Sequence, residues 1–188
     1  MKKGFTLLEI LIVFFIIAIL LSFGIPHFRN YKRNVSYNAA VMSTLEILET
    51  ANSYARSTKR DCFVVFAPNN DVLGVELQNR AVTIVVNNGS RVAPNYRIVE
   101  DWILLPNLIN FGNRSSFDLE GNDISDQERI NIIFPIANET NETARNLFAV
   151  RFDQITGNAP VRTEIYFEGL ANRFIFIDNR IIEEREVL

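Results

Sequence analysis

Residues 1–25 read MKKGFTLLEILIVFFIIAILLSFGI, and this stretch decides what kind of molecule the chain makes. From Phe5 to Ile25 the only charged side chain is that of Glu9. A helix needs roughly 20 predominantly apolar residues to cross the hydrocarbon core of a bilayer. The stretch is therefore predicted to form a transmembrane helix.

A cleaved secretory signal peptide is the main alternative for this stretch. Such a signal has an apolar region of roughly 7–15 residues followed by a small-x-small cleavage site. Here the apolar run is longer, and the sequence that follows it is Pro-His-Phe-Arg at residues 26–29. We therefore expect an uncleaved anchor. Two lysines precede the run and three basic residues follow it, so the charge count does not fix its orientation.

Glu9 is the unusual residue of the apolar run. A carboxylate at the centre of a bilayer costs roughly 2.5–3.5 kcal/mol on insertion scales, and less near the interface. One explanation is that Glu9 stays close to the lipid headgroups. The explanation we favour is that it pairs with a positive group on a neighbouring subunit when the helices pack together.

The segment from Lys2 to Glu9, with the apolar run behind it, resembles the leader and methylation signature of type IV prepilins and type II secretion pseudopilins. In that family a short basic leader ends in glycine, and a membrane peptidase cuts after it. The new N-terminal residue, usually phenylalanine, is N-methylated, and a glutamate stands fifth in the mature chain. The resemblance implies leader cleavage between Gly4 and Phe5 and N-methylation of Phe5. It also implies that Glu9 of one subunit pairs with the Phe5 amine of the next.

The resemblance further implies where the chain lies and what it meets. The leader would be cytoplasmic and the C-terminal domain would lie outside the cytoplasm, in a single-pass protein of the bacterial inner membrane. Its partners would be prepilin peptidase, the inner membrane and other pilins or pseudopilins in a filament. Pro26 stands where many pilins have a helix-kinking proline, and Gly24 beside it would weaken the helix further. The alternative is that Pro26 ends the span.

Beyond Pro26 the sequence becomes amphipathic. Apolar residues recur at steps of three or four, and polar residues occupy the other faces, which predicts a helix with a domain on one side. The apolar positions are Val41, Leu45, Leu48, Ala51 and Ala55, and the polar ones are Asn38, Ser43, Glu46, Glu49, Asn52 and Arg56. The predicted helix runs to about Thr58 and is roughly 80 Å long. We thus divide the chain into a leader (1–4), a membrane or filament-core helix (5–25), its amphipathic continuation (26–58) and an extracytoplasmic globular domain (59–188).

The globular domain is predicted to be rich in β-strands. Apolar and β-branched runs bounded by turn residues predict strands at 62–67, 72–77, 81–86, 129–135, 146–152, 162–167 and 173–177. Asn88-Gly89 predicts a hairpin turn that leads into a strand at 90–92. One long helix followed by short strands predicts an α+β fold, in which the helix packs on an antiparallel sheet or sandwich.

The stretch from Pro94 to Asp126 is the least regular part of the domain. Its second half reads as a long loop and concentrates oxygen-bearing side chains, which are the ligands that Ca²⁺ prefers. This weak calcium candidate consists of Asp118, Glu120, Asn122, Asp123 and Asp126. The spacing is not that of an EF-hand, and a solvated acidic loop is the simpler interpretation. We expect no cofactor.

The C-terminal part is similar to that of the H-type minor pseudopilins and their pilus-biogenesis relatives. The similarity rests on Phe152 to Gly157 and on the final segment RFIFIDNRI, in which Asn179 replaces the usual glycine of the last hairpin. It implies a minor subunit at the filament tip. Whether the filament is a secretion pseudopilus or a type IV pilus stays open.

Composition argues against an enzyme. The sequence has a single cysteine, Cys62, and a single histidine, His27, and it has no P-loop, GxSxG, HExxH, CxxC or dinucleotide motif. Loss of the two leader lysines would leave 17 of the 19 basic residues against 22 acidic ones, a change in net charge from −3 to −5. We therefore expect no nucleic-acid binding. The alternatives are a membrane-anchored extracytoplasmic binding module that works alone, and a DNA-uptake minor pilin.

Overall fold

The computed structural model describes residues 7–67, 80–106, 109–111, 129–134, 143–168 and 173–186. One helix precedes all the strands. The elements are α1 (Leu7–Thr58), β1 (Cys62–Phe66), β2 (Ala81–Asn87), β3 (Tyr96–Ile98), β4 (Ile103–Leu104), β5 (Arg129–Phe134), β6 (Thr143–Phe152), β7 (Ala159–Tyr166), β8 (Arg173–Asn179) and β9 (Ile181–Glu186).

The helix α1 has 52 residues and is about 78 Å long. It continues without a break through positions 24–26, so Pro26 lies inside the helix and does not end it. The helix ends at Thr58, where the sequence predicted its end, and Lys59 follows with a φ of 54°. A residue in this left-handed conformation directly after the last turn is a common helix terminator.

The two halves of α1 lie in different surroundings. The described side chains from Leu7 to Ile25 are exposed, whereas from Tyr37 onward one face is buried. The predicted apolar stripe is confirmed, with Leu45 half-buried and the other four residues buried. The prediction for Asn52 was wrong, because this residue is 8% exposed. The buried face is wider than the stripe and includes the position one turn after Leu48. The buried residues of α1 are Tyr37, Ala40, Val41, Thr44, Ile47, Leu48, Ala51, Asn52 and Ala55.

The described strands form two antiparallel sheets. The larger has the order β3-β2-β1-β6-β5, with β4 also paired to β2, and the smaller has the order β7-β8-β9. The strand β1 lies between β2 and β6, and all five of its residues are buried. The predicted α+β class, with one long helix and antiparallel sheets, is confirmed.

The main core lies between α1 and the two sheets. Side chains alternate along β1, so that Cys62, Val64 and Phe66 pack in the cluster that contains the buried face of α1. The small sheet contributes Ile165 and Ile175, among others, to the same cluster. The alternate residues of β1 pack on the other face of the large sheet, in a second cluster with Tyr96, Ile98 and Trp102 at its border.

The prediction of a hairpin turn at Asn88-Gly89 was wrong. The strand β2 ends at Asn87, residues 88–95 form a loop, and the antiparallel partner of β2 is β3. Residues 90–92 are not a strand. The reason is the Asn87 side chain, whose Oδ1 accepts hydrogen bonds from the amides of Gly89 and Asn95, each at 2.9 Å. These bonds close an eight-residue loop, and Gly89 does not adopt the positive φ of a two-residue turn.

The other strand predictions divide into three groups. Those at 62–67, 81–86, 129–135, 146–152, 162–167 and 173–177 are confirmed as β1, β2, β5, β6, β7 and β8, with ends shifted by up to three residues. The strand predicted at 72–77 lies outside the described residues. The strands β3, β4 and β9 were not predicted, and the first two lie inside the stretch that we had expected to be irregular.

Candidate functional site

The exposed half of α1 is the most unusual surface of the molecule. Its described side chains from Leu7 to Ile25 are exposed. The most apolar segment of 18 residues in α1 has a mean hydropathy of 2.9, and none of its residues is buried. Within the described residues α1 is the one helix that is long and apolar enough to cross a membrane. A contiguous apolar surface of this size marks a contact with lipid or with other proteins.

Glu9 lies in the first turn of α1 and is exposed. The N-terminus of a helix carries a partial positive charge, so a carboxylate is favourable there. Glu9 follows Phe5 by four residues in the sequence. Gly4 and Phe5, the predicted cleavage and methylation residues, lie outside the described residues. Gly24 and Pro26 both lie inside the continuous helix.

Comparison with known families identifies this N-terminal segment. Residues 1–25 match the model of the prokaryotic N-terminal methylation motif. This N-terminal segment is a leader of the kind found in type IV pilin and pseudopilin precursors. The match ends at Ile25, so this pilin-like leader and its apolar run are assigned and the globular part is not. Comparison with curated proteins and with solved structures gives no match.

The residues of the calcium candidate all lie outside the described residues; they are Asp118, Glu120, Asn122, Asp123 and Asp126. Among the residues that are described, no group of three or more histidine, cysteine, aspartate or glutamate side chains has an arrangement that could hold a metal ion.

An ion-pair network that the sequence did not predict joins three loops beside the end of α1. Asp61, 4% exposed, accepts hydrogen bonds from Arg91 Nε at 2.9 Å and from the Gln154 amide at 2.9 Å. Arg91 also donates from Nη2 to Asp153 Oδ2 at 2.6 Å. The two carboxylates raise the pKa of Arg91, with the hydrogen bond to Asp61 as the first cause. The network holds the loops that follow α1, β2 and β6 together.

Asp153 also organises the turn between β6 and β7. Its Oδ1 accepts hydrogen bonds from the amides of Ile155 and Thr156, at 2.8 and 3.1 Å. These bonds, that of Ile155 first, lower the pKa of the Asp153 carboxyl, although its partial burial opposes them. The turn ends at Gly157, whose φ of 70° is disfavoured for other residues. This turn belongs to the segment from Phe152 to Gly157, which carries part of the C-terminal sequence similarity described above.

A second polar group lies where α1 leaves the globular part. Arg173 of β8 places its guanidinium carbon 5.4 Å from the Tyr37 ring centre and its Nη2 2.6 Å from Glu184 Oε1. Its Nη1 also donates to Asn38 Oδ1 at 3.5 Å. Burial raises the pKa of the Tyr37 hydroxyl to about 12, and the charge of Glu184 adds to this effect. These contacts tie the helix to the small sheet just beyond its exposed half.

Cys62 lies at the start of β1 in the core, and burial raises the pKa of its thiol to about 12. A thiol with a raised pKa is a weak nucleophile, since the thiolate is the reactive form. The environment of Cys62 is therefore that of a core residue.

Proposed function

We propose that this chain is a minor pilin-like subunit, a pseudopilin. Prepilin peptidase would process it between Gly4 and Phe5, and the mature chain would assemble at the tip of a type II secretion pseudopilus or a type IV pilus. One observation carries the proposal: the methylation-motif leader directly precedes an exposed apolar half-helix that continues into the domain core.

The physical basis is that the apolar side chains of the exposed half of α1 can be buried either in lipid or against the helices of other subunits. Lipid tails and the side chains of neighbouring helices are both apolar, so the hydrophobic effect alone does not favour filament over membrane. Close packing and polar pairs between helices supply the difference. Glu9 provides such a polar group one turn from the new N-terminal amine, and pairing with the amine of the next subunit sets the register.

In this proposal the protein acts by assembly and not by catalysis. It lies in the bacterial inner membrane with its C-terminal domain outside the cytoplasm until it enters the filament. The tip position is supported by the C-terminal hairpin of β8 and β9. Asn179 at its turn has a φ of 57°, a conformation that suits the glycine usual in the H-type minor pseudopilins.

The test is the variant Glu9→Gln, with Glu46→Gln as the matched control. Glu46 is an exposed acid on the same helix beyond the apolar half. In cells that make the filament, we expect both variants to insert in the membrane and to lose the leader. Glu9→Gln should be depleted at least about tenfold from sheared filaments, the ratio that a net loss near 1.4 kcal/mol produces. The measurement combines mass determination of the N-terminus with immunoblots of the membrane and filament fractions.

Normal incorporation of Glu9→Gln would contradict the pairing role of Glu9. An intact leader on the wild-type chain, in cells with active prepilin peptidase, would contradict the proposed function itself. A membrane-anchored binding module that works alone would give a third result, in which the leader is removed but no cross-link to a pilin-like partner forms near position 9.

A further inference from the structure

A cleft lies beside the C-terminal half of α1, on the side of the β8–β9 turn. It has a volume of about 300 Å³ and is lined by Glu49, Asn52, Arg56, Arg180 and Ile182. The first three residues are at positions i, i+3 and i+7 of the helix, so they follow one face over about 10 Å. The cleft is thus long enough for a short extended segment of another chain.

Asn52 gives the cleft an unmet hydrogen-bonding group. The residue is 8% exposed, and its Oδ1 is buried and accepts no hydrogen bond from any described residue. Buried amide oxygens in folded proteins are almost always paired, because an unpaired one loses its interaction with water without replacement. An N–H donor from a bound partner would satisfy this atom.

The two arginines of the cleft, Arg56 and Arg180, differ in their ion pairing from several other arginines of the chain. Arg91, Arg162, Arg173 and Arg185 each lie within ion-pair distance of a carboxylate. In the described part of the chain, Arg56 and Arg180 have no such carboxylate. Arg180 donates its Nε to Asn158 Oδ1 at 3.1 Å, and its side chain lines the cleft.

The position of Arg56 is held by packing. Its side-chain stem lies against Gly157, so close that a Cβ added there would lie 2.4 Å from Arg56 Cγ. A guanidinium with an anchored stem loses less freedom on binding and matches the two oxygens of a carboxylate. At the other end of the lining, Glu49 makes the cleft dipolar.

We propose that this cleft binds a carboxylate-bearing peptide segment of a neighbouring pilin-like subunit. The carboxylate lies between Arg56 and Arg180, a main-chain N–H donates to Asn52 Oδ1, and Ile182 contacts the apolar part of the segment. A peptide offers the carboxylate and the N–H donor together, which a simple anion does not. The inference rests on the proposed function, because packing of the exposed half-helix among other subunits is what brings a neighbour beside the cleft.

The test uses the full chain in cells that assemble the filament. A photoreactive benzoylphenylalanine replaces Glu49 at the cleft wall, and cross-linked peptides are identified by mass spectrometry. We expect a peptide with an aspartate or glutamate from a protein that has its own N-terminal methylation leader. The double variant Arg56→Gln and Arg180→Gln should lower the cross-link yield at least about tenfold, because both arginines lose their charge-assisted hydrogen bonds to the carboxylate.

Two variants control for folding. The double variant Arg56→Lys and Arg180→Lys keeps both charges and should retain most of the cross-link. Arg97→Gln removes an exposed arginine of β3, far along the chain from the cleft, and should change nothing.

The inference is overturned if no cross-link forms, or if the cross-link persists in the Arg56→Gln and Arg180→Gln variant. It is also overturned if the captured peptide has no acidic residue, or if the protein from which the peptide comes has no methylation leader. These failures differ from failure of the proposed function. If the leader is removed and Glu9→Gln lowers incorporation while the arginine variants behave as wild type, only the cleft assignment is wrong.

Discussion

Replacement of Asp61 by alanine tests the network that joins the three loops. The variant removes the acceptor of Arg91 and of the Gln154 amide at a side chain that is 4% exposed. Arg91 is 53% exposed, so its ion pair is screened by solvent and contributes about 0–1 kcal/mol. The partly buried amide of Gln154 loses a bond to a charged acceptor, which contributes about 1.5–3 kcal/mol. We therefore expect Asp61→Ala to lower the free energy of unfolding by about 1.5–4 kcal/mol.

The assay is urea unfolding of the full chain in detergent, followed by the fluorescence of Trp102, the single tryptophan of the sequence. Trp102 packs at the border of the second core cluster, so its emission reports unfolding of the large sheet. Asp178→Ala is the control, since Asp178 is exposed, and its effect should stay within about 0.5 kcal/mol.

A double-mutant cycle separates the two contributions. We expect Arg91→Ala to cost about 1 kcal/mol or less, and its coupling to Asp61→Ala to be of the same size. If Arg91→Ala costs as much as Asp61→Ala, the ion pair carries the stability and the reasoning from solvent exposure is refuted.

Three further predictions use the same unfolding assay or a simple labelling reaction. Gly157→Ala should destabilise the protein by about 1–2 kcal/mol or more, because alanine is strained at a φ of 70° and its Cβ would meet the Arg56 side chain. The control is Asn179→Gly, which should be tolerated because glycine readily adopts the left-handed conformation of this turn. Equal losses of stability in the two variants would contradict this account. Since the pKa of Asp153 is lowered in the folded protein, its charge stabilises the fold above the unfolded pKa near about 4, and this stability is lost as the pH falls through the folded pKa. The stability gap between wild type and Asp153→Asn should therefore be present at pH 7 and shrink at about pH 3, and a constant gap would show that the charge plays no part. Burial of Cys62, which raises its pKa to about 12, should make maleimide labelling at neutral pH slow in the folded protein and fast in urea, and rapid labelling of the folded protein would contradict its position in the core.

Elements with a strong hydrophobic period were predictable from the sequence. The repeat at steps of three and four in α1 and the buried runs of β1 and β2 gave their type and nearly their bounds. The strand β9 lacks such a signal. It is an edge strand of the small sheet within the described residues, and four of its six side chains are exposed, so IIEERE reads as a charged tail. Its pairing with β8 comes from backbone hydrogen bonds, which leave little trace in side-chain composition.

The polar sites were predictable only where their geometry is local. The leader, with Glu9 at a fixed distance from Phe5, is a short contiguous pattern, and the family match confirms the motif. The partners of Asp61 lie 30 and 93 residues away in the chain, and Arg91 lies 62 residues from Asp153. No local pattern joins residues at such distances. Likewise, the predicted strand ended at Val86 and no role was assigned to Asn87, whose side chain closes the next loop and displaces the expected turn.

If the proposed function is correct, the arrangement of α1 lets the subunit change environment without refolding. A helix satisfies its backbone hydrogen bonds internally, so movement from lipid to a filament core changes only what surrounds the exposed side chains. The buried half is held by the main core and, at its beginning, by the contacts of Arg173 with Tyr37 and Asn38. In the proposed assembly step, the domain would therefore move together with the helix. The described side chains at 27–35 are exposed, whereas the buried face of the helix begins at Tyr37, so we expect any bending between the apolar half of the helix and the domain to occur in this stretch.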